Sequence, residues 1–298
     1  MNLEVLDRAR KVSATNAVYV SRKTDLLCFA SERREEMYAG SLSGIFKAAY
    51  KNGIPIRFFH EDQLASLPSS DIRTLYLPMP LVIDDTETVA FEAFMENGGT
   101  LISEACPGFY DESGLLEQSG SVLSRLFNLD HVEVQGAKEW GEVKVLFPNG
   151  NYITGRFYRQ LVKPGPDTKI LATYMDGEPA IIECRRGKGR AVWIGTYPSY
   201  HYEQSGDTAT CDFLASLLDK TGFKAIQSIK IDAIKPSDIA VAPVVRMLET
   251  DDELILVYVN HCDHPVDVSV LLKGEKIPFS IYLESKDGRM VRCPRIHT

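Results

Sequence analysis

Apolar and polar positions follow two different rhythms along the first third of the chain. Continuous apolar runs predict short buried strands at 17–20, 54–59, 72–77 and 100–105, and the run 26–30 is predicted to extend or repeat the first of them. Two other segments carry apolar residues at helical spacing. The segment 32–52 has one apolar face, formed by Tyr38, Leu42, Ile45, Phe46 and Ala49. The second helix follows the capping box Asp84-Asp85-Thr86-Glu87, and its predicted inward residues are Val89, Ala90, Ala93 and Phe94. Buried strands separated by helices are typical of a parallel sheet with right-handed crossovers. The pattern therefore predicts an α/β fold.

The pattern changes after residue 131. Strands and turns then follow one another without a helix between them, at 143–147, 152–162, 170–175, 180–184 and 191–196. A (β/α)8 barrel needs eight regular strand–helix units, so this break excludes one. A helix is predicted over 207–220, and five short strands over 241–293 predict a small antiparallel β-sandwich. We therefore predict an α/β domain with a β-rich insert over 1–224, a linker over 225–240 and a C-terminal sandwich over 241–298.

The composition of the chain indicates its cellular compartment and disfavours some classes of binding partner. The chain has 298 residues, a length typical of two domains, and a net charge of −8, which disfavours binding to nucleic acid or to an anionic membrane. No apolar run approaches the ~18 residues of a membrane span, and the first residues are too polar for a signal peptide. The six cysteines form no C-x-x-C pair, which favours reduced thiols. We predict a cytoplasmic protein without nucleic-acid or membrane partners.

Three stretches carry a family resemblance. They are Leu-Pro-Met-Pro-Leu-Val-Ile at 77–83 with Glu-Asn-Gly-Gly-Thr-Leu-Ile-Ser-Glu-Ala at 96–105, Pro-Ala-Ile-Ile-Glu-Cys-Arg-Arg-Gly-Lys-Gly-Arg-Ala-Val-Trp-Ile-Gly-Thr at 179–196, and Val-Tyr-Val-Asn-His at 257–261. In this order and spacing they resemble the trimerisation and C-terminal domains of glycoside hydrolase family 42 β-galactosidases, from about residue 16 onward.

The resemblance implies a fold and a role. It implies a flavodoxin-like or class I glutamine amidotransferase-like parallel sheet over 1–224 that assembles as a homotrimer. In such enzymes both catalytic glutamates lie on a (β/α)8 barrel, which this sequence does not contain. The chain is therefore expected to be a non-catalytic assembly portion of a β-galactosidase-like hydrolase in carbohydrate metabolism. Its expected partners are other copies of itself and a catalytic barrel in the parent protein, with a possible contact to the β-galactoside.

Cys106 is the first candidate for chemistry of its own. Class I amidotransferases place a nucleophilic cysteine on a sharp turn after a strand and pair it with a histidine and a glutamate. Here Cys106 follows the predicted strand 100–105, and His201-Tyr202-Glu203 follows a later one. The cysteine lies one position further along the chain than that motif requires, however. Pro107 also has no backbone N–H to donate to an oxyanion hole. A cysteine-dependent amidase using Cys106, His201 and Glu203 is the alternative function, and a vestigial thiol is the favoured interpretation.

Ligand binding is a second possibility. Glu104 ends a predicted parallel strand, at the sheet edge where open α/β sheets bind ligands. Tyr110 and Tyr197 lie in loops at the same edge and could stack on sugar rings. The alternative interpretations are a locally hydrogen-bonded carboxylate for Glu104 and ordinary packing of the aromatic rings for the tyrosines. A stand-alone carbohydrate-binding module is the third hypothesis for the function of the chain. His261-Cys262-Asp263-His264 has metal-binding residue types, but its spacing favours a turn, so we predict neither metal nor cofactor.

A trimer needs contact surfaces between subunits, and a parallel sheet covered by helices on both faces leaves little exposed apolar surface for them. Two irregular segments, 107–118 and 140–161, interrupt the strand–helix alternation and carry more aromatic residues than turns require. We predict that they form a threefold interface, with Phe109, Tyr110, Trp140 and Tyr158 among its residues, because interfaces are enriched in aromatic side chains. A monomer that needs the barrel in order to assemble is the alternative.

Overall fold

The computed structural model describes residues 9–11, 14–31, 35–117, 120–137, 141–218, 226–232, 243–272 and 279–294. The chain divides into two units. The large unit comprises Thr15–Ala49 and Ile56–Asp219, and the small unit comprises Met1–Ala14, Tyr50–Pro55 and Lys220–Thr298. Trp140 and the predicted turn residue Gln118 lie outside the described residues.

The described strands, in chain order, are β1 Arg10–Lys11, β2 Asn16–Val20, β3 Ile56–His60, β4 Thr74–Leu77, β5 Thr100–Ser103, β6 Leu129–Gly136, β7 Glu142–Leu146, β8 Tyr152–Arg156, β9 Tyr158–Pro164, β10 Thr168–Tyr174, β11 Pro179–Arg186, β12 Gly189–Ile194, β13 Ile226–Asp232, β14 Val244–Glu249, β15 Glu253–Val259, β16 Val266–Leu272, β17 Phe279–Leu283 and β18 Gly288–Pro294. The described α-helices are α1 Arg22–Ala30, α2 Glu35–Lys51, α3 Asp85–Glu96, α4 Pro198–Ser205 and α5 Thr208–Leu217. A 3₁₀ helix covers Glu61–Ser69, and a π-helical turn covers Leu123–Phe127.

The large unit is built on one mixed sheet. Its strand order is β3-β2-β4-β5-β12-β11-β10-β7-β8, parallel from β3 to β12 and antiparallel beyond it. The predicted α/β class with a β-rich second half is confirmed. One apolar cluster, which includes Leu75, Phe91, Leu101 and Trp193, packs α3 and the π-helical turn against the sheet.

Two local predictions were wrong. The run 26–30 belongs to helix α1 rather than to a strand, because Ser21 caps the helix by accepting a hydrogen bond from the Thr24 amide at 3.1 Å. A short apolar run does not distinguish a strand from a helix by periodicity alone. In α3 the capping box of Asp84 and Glu87 is confirmed, but Val89 is exposed, and the buried side includes Phe91, Phe94 and Met95.

The strand predicted over 152–162 is two strands. β8 pairs with β7 in the large sheet, whereas β9 pairs with β6 in a separate two-stranded ribbon. The chain changes direction at Phe157, whose φ is 70°. A positive φ breaks the regular pleat, and apolar periodicity does not encode it. Helix α4, between β12 and α5, was not predicted at all.

The small unit contains two antiparallel sheets. One has the order β1-β14-β15-β18 and the other β13-β16-β17. Residues of both sheets share one apolar cluster, including Leu256, Tyr258, Val268 and Leu283. Strand β13 lies within the predicted linker 225–240 and pairs with β16. Among the described residues, no helix is long and apolar enough to cross a bilayer.

Candidate functional site

The carboxyl ends of β4, β5 and β12 lie side by side in the large sheet. Leu77 at the end of β4 pairs with Ser103 at the end of β5, and Ser103 pairs with Trp193 in β12. The segments that follow these three strands therefore meet at one edge, the place where the sequence predicted a site. We call the buried polar group there, formed by Glu104, Cys106, Gln160, Tyr197 and Ser199, the polar centre.

Glu104 is the acid of the polar centre. Its carboxylate accepts hydrogen bonds from the Tyr76 hydroxyl (3.1 Å), the Met79 amide (3.1 Å) and the Ser199 amide (2.9 Å). The residue has no exposed surface, and this burial raises its pKa to about 7, although the hydrogen bonds lower it. The carboxylate thus links the ends of three neighbouring strands, through donors that are distant in sequence rather than local.

Helix α2 lies close against the start of α4, next to Glu104. Two glycines one turn apart face α4: a Cβ on Gly40 would lie 2.7 Å from the Tyr200 ring, and one on Gly44 would lie 1.9 Å from the Ser199 carbonyl oxygen. Only glycine permits this approach of helix to backbone. The spacing of these two glycines therefore fixes the position of the segment that donates the Ser199 amide to Glu104.

Cys106 stands on a strained turn directly after β5. Its φ is 61°, a conformation that is uncommon for residues other than glycine. Its amide donates to Oε1 of Gln160 at 2.7 Å, and the same oxygen accepts from the Trp193 indole at 3.2 Å. The Cys106 amide is therefore occupied by a side chain of the protein itself.

Aromatic rings enclose the Cys106 turn. Tyr197 is fully buried, and burial followed by the neighbouring Cys106 thiol raises its pKa well above the usual value of 10. Its ring lies 6.3 Å from that of Phe157 and 6.0 Å from that of Tyr158. Cys106 itself is only 1% exposed. The thiol is thus enclosed by the packing of β9 and the loop before α4.

The predicted partners of Cys106 make other contacts. Glu203 accepts from the Lys47 ammonium at 2.7 Å, and its second oxygen is buried without a hydrogen-bond partner in the described part of the chain. The Nδ1 atom of His201 likewise has none there. Burial lowers the pKa of His201 below 6.5. No His201–Glu203 hydrogen bond forms among the described residues, because positions two apart on a helix point in different directions. The use of Cys106, His201 and Glu203 in catalysis stays a prediction.

A second buried acid lies at the start of α3. Glu87 accepts from the Tyr19 hydroxyl and from the Lys23 ammonium at 3.1 Å, and Lys23 also contacts Asp84. Burial raises the pKa of Glu87, and the hydrogen bonds and the Lys23 charge oppose that rise. Its acidic neighbour Asp84 is engaged in the capping box. This acid pair is committed to capping and ion pairing.

The predicted interface residues differ in exposure. Phe109, Tyr110 and Tyr158 are half-buried and pack on the cluster that contains Cys106. Within the insert, Phe157 is buried against its own chain. Leu26, Phe29, Leu115 and Leu116 are large apolar residues that are mostly exposed. Leu115 and Leu116 lie in the predicted interface segment 107–118, whereas Leu26 and Phe29 were not predicted to lie in an interface. Their assignment to an interface is taken up below.

Sequence reasoning also missed two residues of the polar centre, Gln160 and Ser199, and the adjoining Tyr76. Gln160 is fully buried in β9, and Tyr76 and Ser199 are fully buried around Glu104. Gln160 stands between Arg159 and Leu161 in the predicted strand 152–162, so no clear sign in the sequence indicated that it would be buried with hydrogen-bond partners. The Tyr76 and Ser199 contacts depend on the sheet register and had no sequence signal.

Comparisons with known proteins point to one family. A family model described as "Beta-galactosidase trimerisation domain" matches residues 18–224. β-Galactosidase BgaB of Geobacillus sp. (strain Y412MC61) is 25% identical over 263 residues, which are 86% of this chain and 34% of that protein. β-Galactosidase LacA of Lactobacillus acidophilus is 27% identical over 165 residues, covering 53% of this chain and 24% of that protein. The chain spans about a third or less of the length of these relatives.

Solved structures share the fold. A catalytic mutant of Gan42B, a GH42 β-galactosidase from G. stearothermophilus, superposes with a TM-score of 0.75 at 19% identity, covering 96% of this chain and 41% of that one. α-L-Fucosidase isoenzyme 2 from Paenibacillus thiaminolyticus gives a TM-score of 0.58 at 13% identity, covering 97% and 49%. The sequence match and the shared fold agree with the resemblance carried by the three motifs. Because the family model covers more than half of the chain, the protein belongs to the β-galactosidase trimerisation domain family.

Proposed function

We propose that this chain is the non-catalytic assembly portion of a β-galactosidase-like glycoside hydrolase and that it forms a homotrimer. The observation that carries the proposal is the family match over 18–224, a domain described by trimerisation. A trimer of the 33.3 kDa chain has a mass of about 100 kDa. Its surfaces would hold three copies of the parent protein together.

The state of the polar centre supports a non-catalytic role. A retaining glycosidase needs two carboxyl groups about 5–5.5 Å apart in a cleft that admits the sugar. Among the described residues, the fully buried carboxylates are Glu104 and Glu87, and each belongs to its own hydrogen-bonded network. Neither is open to a substrate. Catalysis in the parent would lie on a separate (β/α)8 barrel, as the family relationship implies.

The more detailed parts of the proposal also rest on the match to the trimerisation domain family. The large unit is a flavodoxin-like or amidotransferase-like sheet, and the shared apolar cluster of the small unit supports a β-sandwich. The parent acts in the cytoplasm, in carbohydrate metabolism. A contact from Tyr110, which is half-buried at the sheet edge, to the β-galactoside is the part of the proposal that concerns substrate.

The test combines mass and activity. Light scattering of the purified chain at micromolar concentration is expected to give about 100 kDa, with no hydrolysis of a nitrophenyl β-galactoside above background. A mass of 33 kDa would refute self-assembly of this chain. Turnover that disappears on mutating one of its own acids would refute the non-catalytic role.

A further inference from the structure

An exposed apolar surface lies next to the polar centre, on helix α1. Thr24 and Cys28 form the buried side of this helix. Leu26 and Phe29, three positions apart, project from the opposite side and are 61% and 71% exposed. A helix of a globular protein normally presents polar residues on its outer side, so two large apolar residues beside the exposed Arg22 and Asp25 are unusual there.

The turn at 110–116 extends the same surface. Tyr110 pairs with Val82 and with Leu116, and a Cβ on Gly114 would lie 3.4 Å from the Leu27 side chain of α1. The turn is therefore in contact with α1, and its Leu115 and Leu116 are as exposed as the helix residues. Leu26, Phe29, Leu115 and Leu116 together form what we call the α1 patch.

The rim of the α1 patch carries both signs of charge. Arg22 and Asp25 on α1 are exposed, and so is Glu112 on the turn. An apolar centre surrounded by charged residues is the usual anatomy of a protein interface. A rim with both signs can complement itself, because the basic position of one copy can face an acidic position of another. The pattern fits a second copy of this chain better than a partner of a single charge.

We propose that the α1 patch lies at the threefold axis of a trimer of this chain, where Leu26 and Phe29 of each copy pack against the same residues of the other two. The inference rests on the proposed trimeric function and names the surface that performs it. Contacts away from a threefold axis need two different matching patches, but a surface on the axis meets its own equivalents. The matched domain, 18–224, contains the whole patch.

Charge substitution tests the position of the interface. The double variant Leu26→Glu/Phe29→Glu places three pairs of acids at the axis and is expected to weaken association roughly 100-fold or more, because two large apolar contacts per copy are lost. The matched control is Met175→Glu. Met175 is 67% exposed but follows β10, five strands from β2, or about 24 Å at ~4.8 Å per strand. The control is expected to remain trimeric.

Each outcome separates the inference from the function on which it rests. A wild-type trimer whose double variant is also trimeric places the interface elsewhere and overturns the inference, while the proposed function stands. A monomeric wild type overturns both. A folded monomeric double variant beside a trimeric control supports both, with folding checked by circular dichroism.

Cross-linking gives a measurement that does not depend on the acidic variant folding. The six native cysteines are buried, so a cysteine introduced by Phe29→Cys is the one that a short bismaleimide would reach. We expect covalent dimers from Phe29→Cys and none from Met175→Cys. An assembled trimer in which neither variant cross-links contradicts the axial position of the patch.

Discussion

The polar centre and the α1 patch reverse the usual distribution of polar and apolar groups. Glu104, Cys106 and Gln160 carry the reactive or polar atoms of the domain and are almost completely enclosed. Leu26 and Phe29, on helix α1, are large apolar residues left open to solvent. Open ligand sites usually combine an apolar pocket with a few accessible polar groups, whereas the polar groups of this centre are enclosed.

This contrast separates the part of the domain that is structural from the part that is open to another molecule. Burial turns the acid, the thiol and the amide of the polar centre into structural connections between strand ends. The α1 patch keeps its surface for another molecule. Substitutions in the polar centre should therefore change stability, whereas those in the patch should change assembly.

The largest effect is expected from Gly44→Ala. The added Cβ would meet the Ser199 carbonyl oxygen at 1.9 Å, so α2 and α4 must separate and the Ser199 hydrogen bond to Glu104 must stretch. We expect a loss of about 3 kcal/mol in the free energy of unfolding, measured by urea denaturation. Gly136→Ala is the matched control, because no atom lies within 4 Å of its Cβ position. Equal stability of the two variants would show that the close packing is not required.

Glu104→Gln should cost about 2 kcal/mol and change the pH dependence of stability. The amide group would oppose one of the buried donors, such as the Met79 amide. In the wild type, the folded pKa of about 7 lies above the ordinary 4.5, so the folded state holds its proton longer than the unfolded state. The contribution of Glu104 to stability is therefore largest below about pH 4.5 and falls by about 3 kcal/mol as the pH rises through 7.

Urea denaturation of both proteins at pH 5, 6, 7 and 8 checks the role of Glu104. The Gln variant should lack this part of the decline, while contributions from other groups, including Glu87, remain in both proteins. Curves of identical slope would assign the pH dependence to other residues.

The smallest effect is expected from Cys106→Ser. The thiol is enclosed and its neighbours include Tyr197, so a hydroxyl in its place should change the free energy of unfolding by about 1 kcal/mol or less. Iodoacetamide should leave Cys106 unlabelled in the folded protein, as mass spectrometry of peptides would show. An amidase activity lost equally in Cys106→Ser and His201→Ala would instead establish a working nucleophile and base.

Sequence patterns were sufficient to predict most strands of the parallel half of the sheet. The runs that became β2, β4 and β5 and the capping box of α3 were identifiable because burial and helix capping depend on residues near in sequence. The same logic failed where one residue changed the chain direction. The positive φ of Phe157 divides the predicted strand 152–162 into two. Helix α4 has little apolar periodicity, so the sequence pattern did not predict it.

Local patterns were enough to predict the fold class, the position of Glu104 and Cys106 at a strand end and the family resemblance carried by three motifs. Only the tertiary structure decided what those residues do, because solvent access and hydrogen-bond partners arise from segments far apart in the chain. Gln160 meets Cys106 across 54 positions, and Ser199 meets Glu104 across 95. The exposure of Leu26 and Phe29 was decided in the same way: Ser21 began a helix where an apolar run predicted a strand, and the helix turned those two residues away from the core.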